Sequence, residues 1–175
     1  QIPANYRKGE KIMSEKKYNP IFVQVINFPR RKLIFKRVAD ELHSFESALP
    51  TNSKEWDILS SIKEALYEPI EIWWPQSRIT AYAFCHALGV EVPARYNGIT
   101  PMGFELIELP PCQMAVFQGD FKHGNENVDF PKRINNYNPA LYGLKWADED
   151  APIIRLAPAK YRGHIVARPV QPLMD

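Results

Sequence analysis

The sequence predicts an α+β domain of two tandem βαββ units, with antiparallel sheets and helices on the outer face. Three observations predict it. The segment VINFPRRKLIFK is answered 81 residues later by LIELPPCQMAVF, so that Val25 and Ile26 match Leu106 and Ile107, Phe28 and Pro29 match Leu109 and Pro110, and Leu33 matches Met114. An offset repeat of this kind is the mark of a duplicated structural unit. Several stretches alternate in character with the period of two that strands show, and one stretch in each half carries the three-to-four spacing of a helix.

The first strand begins near Ile21 and bends at Pro29 before resuming as Lys32 to Val38. Proline has no amide hydrogen for a ladder, so in a strand it sits at an edge or a bulge. Thr51, Asn52 or Ser53 then caps a helix by accepting orphan amide protons. Ile58, Leu59, Ile62, Ala65 and Leu66 form its apolar stripe until Glu68-Pro69 stops it. Ile70 to Trp74 and Thr80 to Val92 read as strands, the second with Tyr82, Phe84, His86 and Leu88 on one face and Ala81, Ala83, Cys85 and Ala87 on the other. The small alanine face admits a close layer, which places the helix there. The second unit repeats the order: Phe104 to Gln118 bends at Pro110, and a helix carries Val128, Phe130, Ile134 and Tyr137, with Pro131 confined to its first turn or a kink. Strands at Pro152 to Leu156 and Gly163 to Arg168 close the unit.

The 175 residues, 45% hydrophobic and 24% charged, suit one globular domain, and 16 prolines against 8 glycines stiffen its turns. No apolar run nears the roughly 18 to 20 residues that span a bilayer. The opening QIPANYRKGEKIMSEKK lacks the apolar core of a secretory signal. Cys85 and Cys112 have no CxxC spacing and read as two buried thiols of a reducing, cytoplasmic protein. The net charge of +2 is uneven: residues 1–17 hold five cations against two acids, which leaves −1 for the rest. A face that neutralises phosphates needs a surplus of Lys and Arg, so nucleic-acid binding is not expected of residues 18–175. The densest basic spot, Arg30, Arg31, Lys32, Lys36 and Arg37, reads as a solvated face.

No phosphate loop, dinucleotide fingerprint, GxSxG or HExxH occurs, and His43, His86, His123 and His164 are scattered singly. No catalytic residue, metal or cofactor is therefore expected. The aromatic content stands out. Trp73 and Trp74 must point to opposite faces of a strand; parity puts Trp74 with Ile70 and Ile72 and leaves Trp73 beside Glu71. Trp146 precedes the acidic run Asp148-Glu149-Asp150. An acid among rings attracts a lipophilic cation, or serves as a general base if its pKa is raised. Taken singly, Glu71, Glu91, Glu105 and Glu108 read as solvated groups. The ligand-binding set assigned on these grounds is Trp73, Tyr82, Phe84, Phe104, Phe117, Trp146 and Glu149.

From Tyr18 to Gln171, the segments SIKEALYEPIEIWWP, GVEVPARYNG, GFELIELPPCQMAVFQG, YNPALYGLKWADEDAP and YRGHIVARPVQ resemble the GyrI-like family, above all the effector-binding domains joined to AraC-type transcription regulators. The resemblance implies two βαββ units whose sheets frame a central groove for a small, often aromatic or cationic, ligand. IPANYRK resembles the close of the AraC-type double helix-turn-helix. It implies that residues 1–17 are a linker and the remnant of a preceding DNA-binding domain, and 18–175 the effector-binding domain. The implied partners are a small-molecule effector and, only through the helix-turn-helix domain, DNA. No membrane partner is implied, and a homo-oligomer stays open. Relatives carry a buried glutamate in the groove, where the last strand here shows His164, Val166 and Arg168. The same family supplies two alternatives, a small hydrolase using a groove carboxylate and a protein-binding, gyrase-inhibitor-like module.

Overall fold

A computed structural model describes residues 21–38, 53–75, 86–119, 133–159 and 163–174. They form a sheet-dominated α+β fold. The strands are β1 (Ile21–Phe28), β2 (Arg31–Val38), β3 (Ile70–Trp73), β4 (His86–Pro93), β5 (Glu105–Leu109), β6 (Cys112–Gly119), β7 (Leu144–Trp146), β8 (Ile153–Ala159) and β9 (Gly163–Pro172). A helix, α1, spans Lys54–Ser60, and a 3-10 turn spans Pro139–Tyr142. Residues 133–135, where the second unit's helix was expected to carry Ile134, are helical as well. Among the described residues no helix is long and apolar enough to cross a membrane.

The nine strands make one sheet in the order β1-β6-β9-β8-β3-β4-β2-β5, with β7 added beside β9. The pairings within it are antiparallel. The order reads the same from either end once β1 is exchanged with β5, β6 with β2, β9 with β4 and β8 with β3. The chain breaks at Pro29-Arg30 between β1 and β2, and at Pro110-Pro111 between β5 and β6. The two bent strands nonetheless hold one register through both bends, from Ile21 opposite Gly119 to Phe28 opposite Cys112, then from Arg31 opposite Leu109 to Phe35 opposite Glu105.

The sheet buries apolar side chains on both faces. One face gathers Leu33, Phe35, Ile70, Ile72, Trp74, Ala87, Leu109, Met114, Ile154 and Ala167 into a single cluster, to which β2, β3, β4, β5, β6, β8 and β9 all contribute. The other face carries two clusters. Ile34, Leu88, Val90, Val92 and Tyr96 pack with Leu59 of α1, while Ala115, Phe117, Val166 and Val170 pack with Ile134.

The helix therefore lies on the face opposite to the one expected. Leu59 meets Leu88, Val90 and Val92, which share the parity of His86, and Ala87 turns to the all-sheet cluster. The small residues of β4 make room for neighbouring strands instead of a helix: a Cβ on Gly89 would stand 2.7 Å from the Ile34 carbonyl oxygen, 2.8 Å from Ile72 Cδ1 and 3.0 Å from Phe35 Cβ. Ala81 to Cys85, and with them Tyr82, Phe84 and the second thiol, lie outside the described residues, as do Val128 and Phe130.

α1 is shorter than its apolar stripe. Ser53 is its N-cap, accepting from the Trp56 amide at 3.1 Å. The helix ends where the Ser61 hydroxyl donates to the Ile58 carbonyl at 2.6 Å. The Leu66 amide is then captured by the Glu91 carbonyl of β4 at 2.9 Å, so Ile62 and Ala65 reach the same cluster from turns. One strand escaped the sequence pattern. Gly143, at φ 69°, ends the 3-10 turn and delivers Leu144–Trp146 to β9 as β7, so Trp146 stands on a strand opposite Val170.

Candidate functional site

The β3–β8 pairing is the midpoint of the strand order, with four strands on each side. Residues directly opposite one another in an antiparallel ladder project to the same face. Across the helix-bearing face this ties together Phe117, Val166, Arg155, Glu71, Leu88 and Lys36, each opposite the next. A second row runs through Ile153, Trp73 and His86. The centre of the sheet thus carries a polar strip between the two apolar clusters of that face.

Glu71 Oε2 lies 3.3 Å from Arg155 Nε, with side chains 7% and 12% exposed. Beside them the Trp73 indole stacks on the His86 imidazole, centroids 5.1 Å apart and planes 13° from parallel. His86 is buried and Trp73 half-buried. Sequence parity had placed Trp73 beside Glu71 and Trp74 in the apolar layer, and the structure does the same. The reading of Glu71 as a solvated carboxylate is overturned, because it sits in the middle of the sheet.

A second aromatic group stands at the β6–β9–β7 end. Phe117 meets Tyr137 edge-on at 5.2 Å, and Trp146 lies 6.4 Å from Phe117 and 6.0 Å from Tyr137. Tyr137 stacks on Tyr142 at 5.6 Å; burial, and then the neighbouring Tyr142, raise its pKa. Arg168 donates through Nε and Nη2 to the two carboxylate oxygens of Asp148, at 2.9 and 2.8 Å, and its guanidinium lies 4.0 Å from the Trp146 ring centroid.

Phe117 and Trp146 are thus brought together, whereas Trp73 stands on the seam. Phe104 packs with the α1 cluster under Lys36, whose Nζ is 5.9 Å from its ring centroid. Glu149 is exposed on the turn after β7. Tyr82 and Phe84 lie outside the described residues. Arg155, Asp148, Arg168 and Tyr137 were not among the assigned residues. Their signal was thin: Arg155 interrupts the apolar run Ile153 to Leu156, where only the partner strand tells which charge it faces.

The second buried acid, Glu91, lies on the opposite face, where it holds Arg31. Arg31 was expected among solvated cations, yet it is buried beside the facing bends of the two paired strands. Its companions are engaged nearer the surface: Arg30 with Glu108, Lys32 with the Tyr96 carbonyl at 2.8 Å, Lys36 with Glu55 at 2.9 Å and Arg37 with Glu105 at 3.5 Å. Burial opposes the charge on Arg31, but Glu91 and Cys112 together outweigh it and raise the pKa. Burial pushes the half-buried Cys112 thiol up, against the pull of Arg31, which makes it a poor nucleophile.

No protein-family model matches the chain, and no curated protein matches it. Among solved structures, SAV2435 bound to tetraphenylphosphonium aligns over 86% of this chain and 94% of its own, with a TM-score of 0.51 at 11% identity. A protein assigned to bacterial transcription regulation, from Staphylococcus aureus MU50, aligns over 86% and 98%, with a TM-score of 0.47 at 11% identity. A hydrolase encoded by lin2189 from Listeria innocua aligns over 85% and 91%, with a TM-score of 0.42 at 9% identity. The likeness to SAV2435 is one of fold.

Proposed function

We propose that the chain is the ligand-sensing domain of an AraC-type transcription regulator, GyrI-like in its two tandem βαββ units. It takes a small aromatic or lipophilic molecule over the β3–β8 seam. The observation that carries this reading is the seam itself: Glu71, Arg155, Trp73 and His86 form a polar, aromatic strip between two apolar clusters, the composition of a small-molecule site. A neighbour in fold that was solved with a four-ring ligand supports it. Trp73 and Trp146 are the ring contacts, and Phe117 backs Trp146 from the core. Phe104 and Glu149 flank the strip, and Tyr82 and Phe84 stay candidates on sequence parity. Glu71 is held by Arg155 and is not poised as a general base, which favours binding over hydrolysis.

Residues 1–17 belong, on this proposal, to the linker from a helix-turn-helix domain. A ligand can act on that domain only by binding one of two conformational or oligomeric states more tightly than the other. Two measurements test the reading. Tryptophan fluorescence titrated with a panel of aromatic molecules should show saturable quenching, weakened about tenfold in Trp73→Ala, the worth of one aromatic contact. No saturable response across the panel would end the ligand reading. The coding sequence upstream of Gln1 should encode the DNA-binding domain; its absence removes the regulator reading.

A further inference from the structure

The two acids that meet the aromatic face are each held by a cation of the same chain. Glu71 is paired with Arg155 at 3.3 Å, and Asp148 takes both oxygens' hydrogen bonds from Arg168. Arg168 also covers the Trp146 ring at 4.0 Å, the position a cationic ligand would occupy on that indole. A lipophilic cation entering here meets a charge already cancelled and a ring face already taken. To gain the Glu71 carboxylate it must displace Arg155 and strand a largely buried guanidinium, a strongly unfavourable exchange. A ligand without positive charge faces neither penalty, and guanidinium N–H groups are well shaped to donate to an anionic oxygen.

Building on the ligand-site reading above, we infer that the site selects an aromatic ligand that is uncharged or anionic, and discriminates against lipophilic cations. The Glu71–Arg155 pair sets the discrimination from the seam, and Arg168 on Trp146 reinforces it. The charge class of the ligand seen on SAV2435 is the one this arrangement disfavours.

Tetraphenylphosphonium and tetraphenylborate have the same shape and opposite charge. The full chain should be titrated with each by tryptophan fluorescence and calorimetry. Tetraphenylborate is expected to bind about tenfold more tightly, roughly 1.4 kcal/mol. Arg155→Gln should move the ratio toward the phosphonium, and Glu71→Gln should move it further toward the borate. A purely structural role would weaken both probes by one factor. Where Arg155→Gln fails to fold, the double variant E71Q/R155Q, checked by circular dichroism, should bring the two affinities within about threefold. Tighter binding of the phosphonium to the wild-type chain overturns the inference while leaving the ligand site standing. So does a ratio unchanged in the variants. Binding of neither probe overturns the inference, and the ligand site falls with it only when the aromatic panel also gives no saturable response.

Discussion

Arg31 Nε donates to Glu91 Oε2 at 2.7 Å, with both side chains 1% exposed, beside the facing bends of the two paired strands. Arg31 Nη1 also donates to the Pro29 and Pro110 carbonyls, each at 3.2 Å. Proline puts the bends there, and the bends leave carbonyls that a regular ladder would have used. One arginine satisfies a carbonyl from each strand, and Glu91 neutralises it. Removing one member of a buried pair strands the other charge and costs about 3–5 kcal/mol. Glu91→Gln should therefore lose that much in urea denaturation, a large part of the 5–15 kcal/mol typical of a domain. The double variant R31M/E91L, which removes both charges, should be the more stable of the two. A single variant within about 1 kcal/mol of wild type would show that the pair is not needed.

The same cluster makes an alkaline prediction. The Tyr67 hydroxyl is buried, and burial first, then the Glu91 carboxylate, push its pKa well above the ordinary value, against the opposing pull of Arg31. The folded chain keeps this proton where the unfolded chain releases it, near pH 10. The stability contributed is complete below pH 10 and is lost as pH climbs from there toward the folded value. Denaturation midpoints measured from pH 8 to 11 should fall less steeply above pH 10 in Tyr67→Phe than in wild type. Equal slopes would remove Tyr67 as the cause.

What was legible in the sequence followed from local rules. Period-two alternation located the strands other than β7, and the two prolines marked bends whose strands prove to share one register. Three failures have one origin in contacts between distant segments. The α1 stripe runs on to Leu66 in the sequence, yet the Glu91 carbonyl claims the Leu66 amide. Residue size along β4 shows that one face is crowded, but not whether a helix or the neighbouring strands crowd it. The partner of Glu71 lies on β8, and no spacing within β3 announces an arginine opposite.

Ser53 carries a separate prediction. Its side-chain oxygen accepts the Trp56 amide at 3.1 Å, and α1 has only seven residues with which to hold Leu59 in the core. A helix so short has little stability of its own and depends on its cap and its packing. Ser53→Ala should cost about 1 kcal/mol, whereas Ser53→Asp, which caps equally well and places negative charge at the helix N-terminus, should cost little or nothing. Thermal melts distinguish the two. Equal losses in both variants would show that the hydroxyl acts through something other than the cap.

Gly89 tests the account of why β4 is small on one side. It pairs with Phe35 of β2 and Ile70 of β3, so neighbours stand close on both flanks. An added Cβ would meet the Ile34 carbonyl oxygen at 2.7 Å, and this neighbour belongs to the backbone and cannot rotate away. Ile72 Cδ1, at 2.8 Å, can yield only by disturbing Trp74 and Ile154 in the same cluster. In an exposed strand, replacing glycine by alanine is stabilising, because the unfolded chain loses freedom. Here overpacking should dominate and Gly89→Ala should lose about 1–3 kcal/mol. The strain would reach β3 directly, since Ile72 precedes Trp73, so Gly89→Ala should also alter tryptophan emission in the folded state. A variant as stable as wild type, with unchanged emission, would mean that β2 and β3 do not crowd β4 as described.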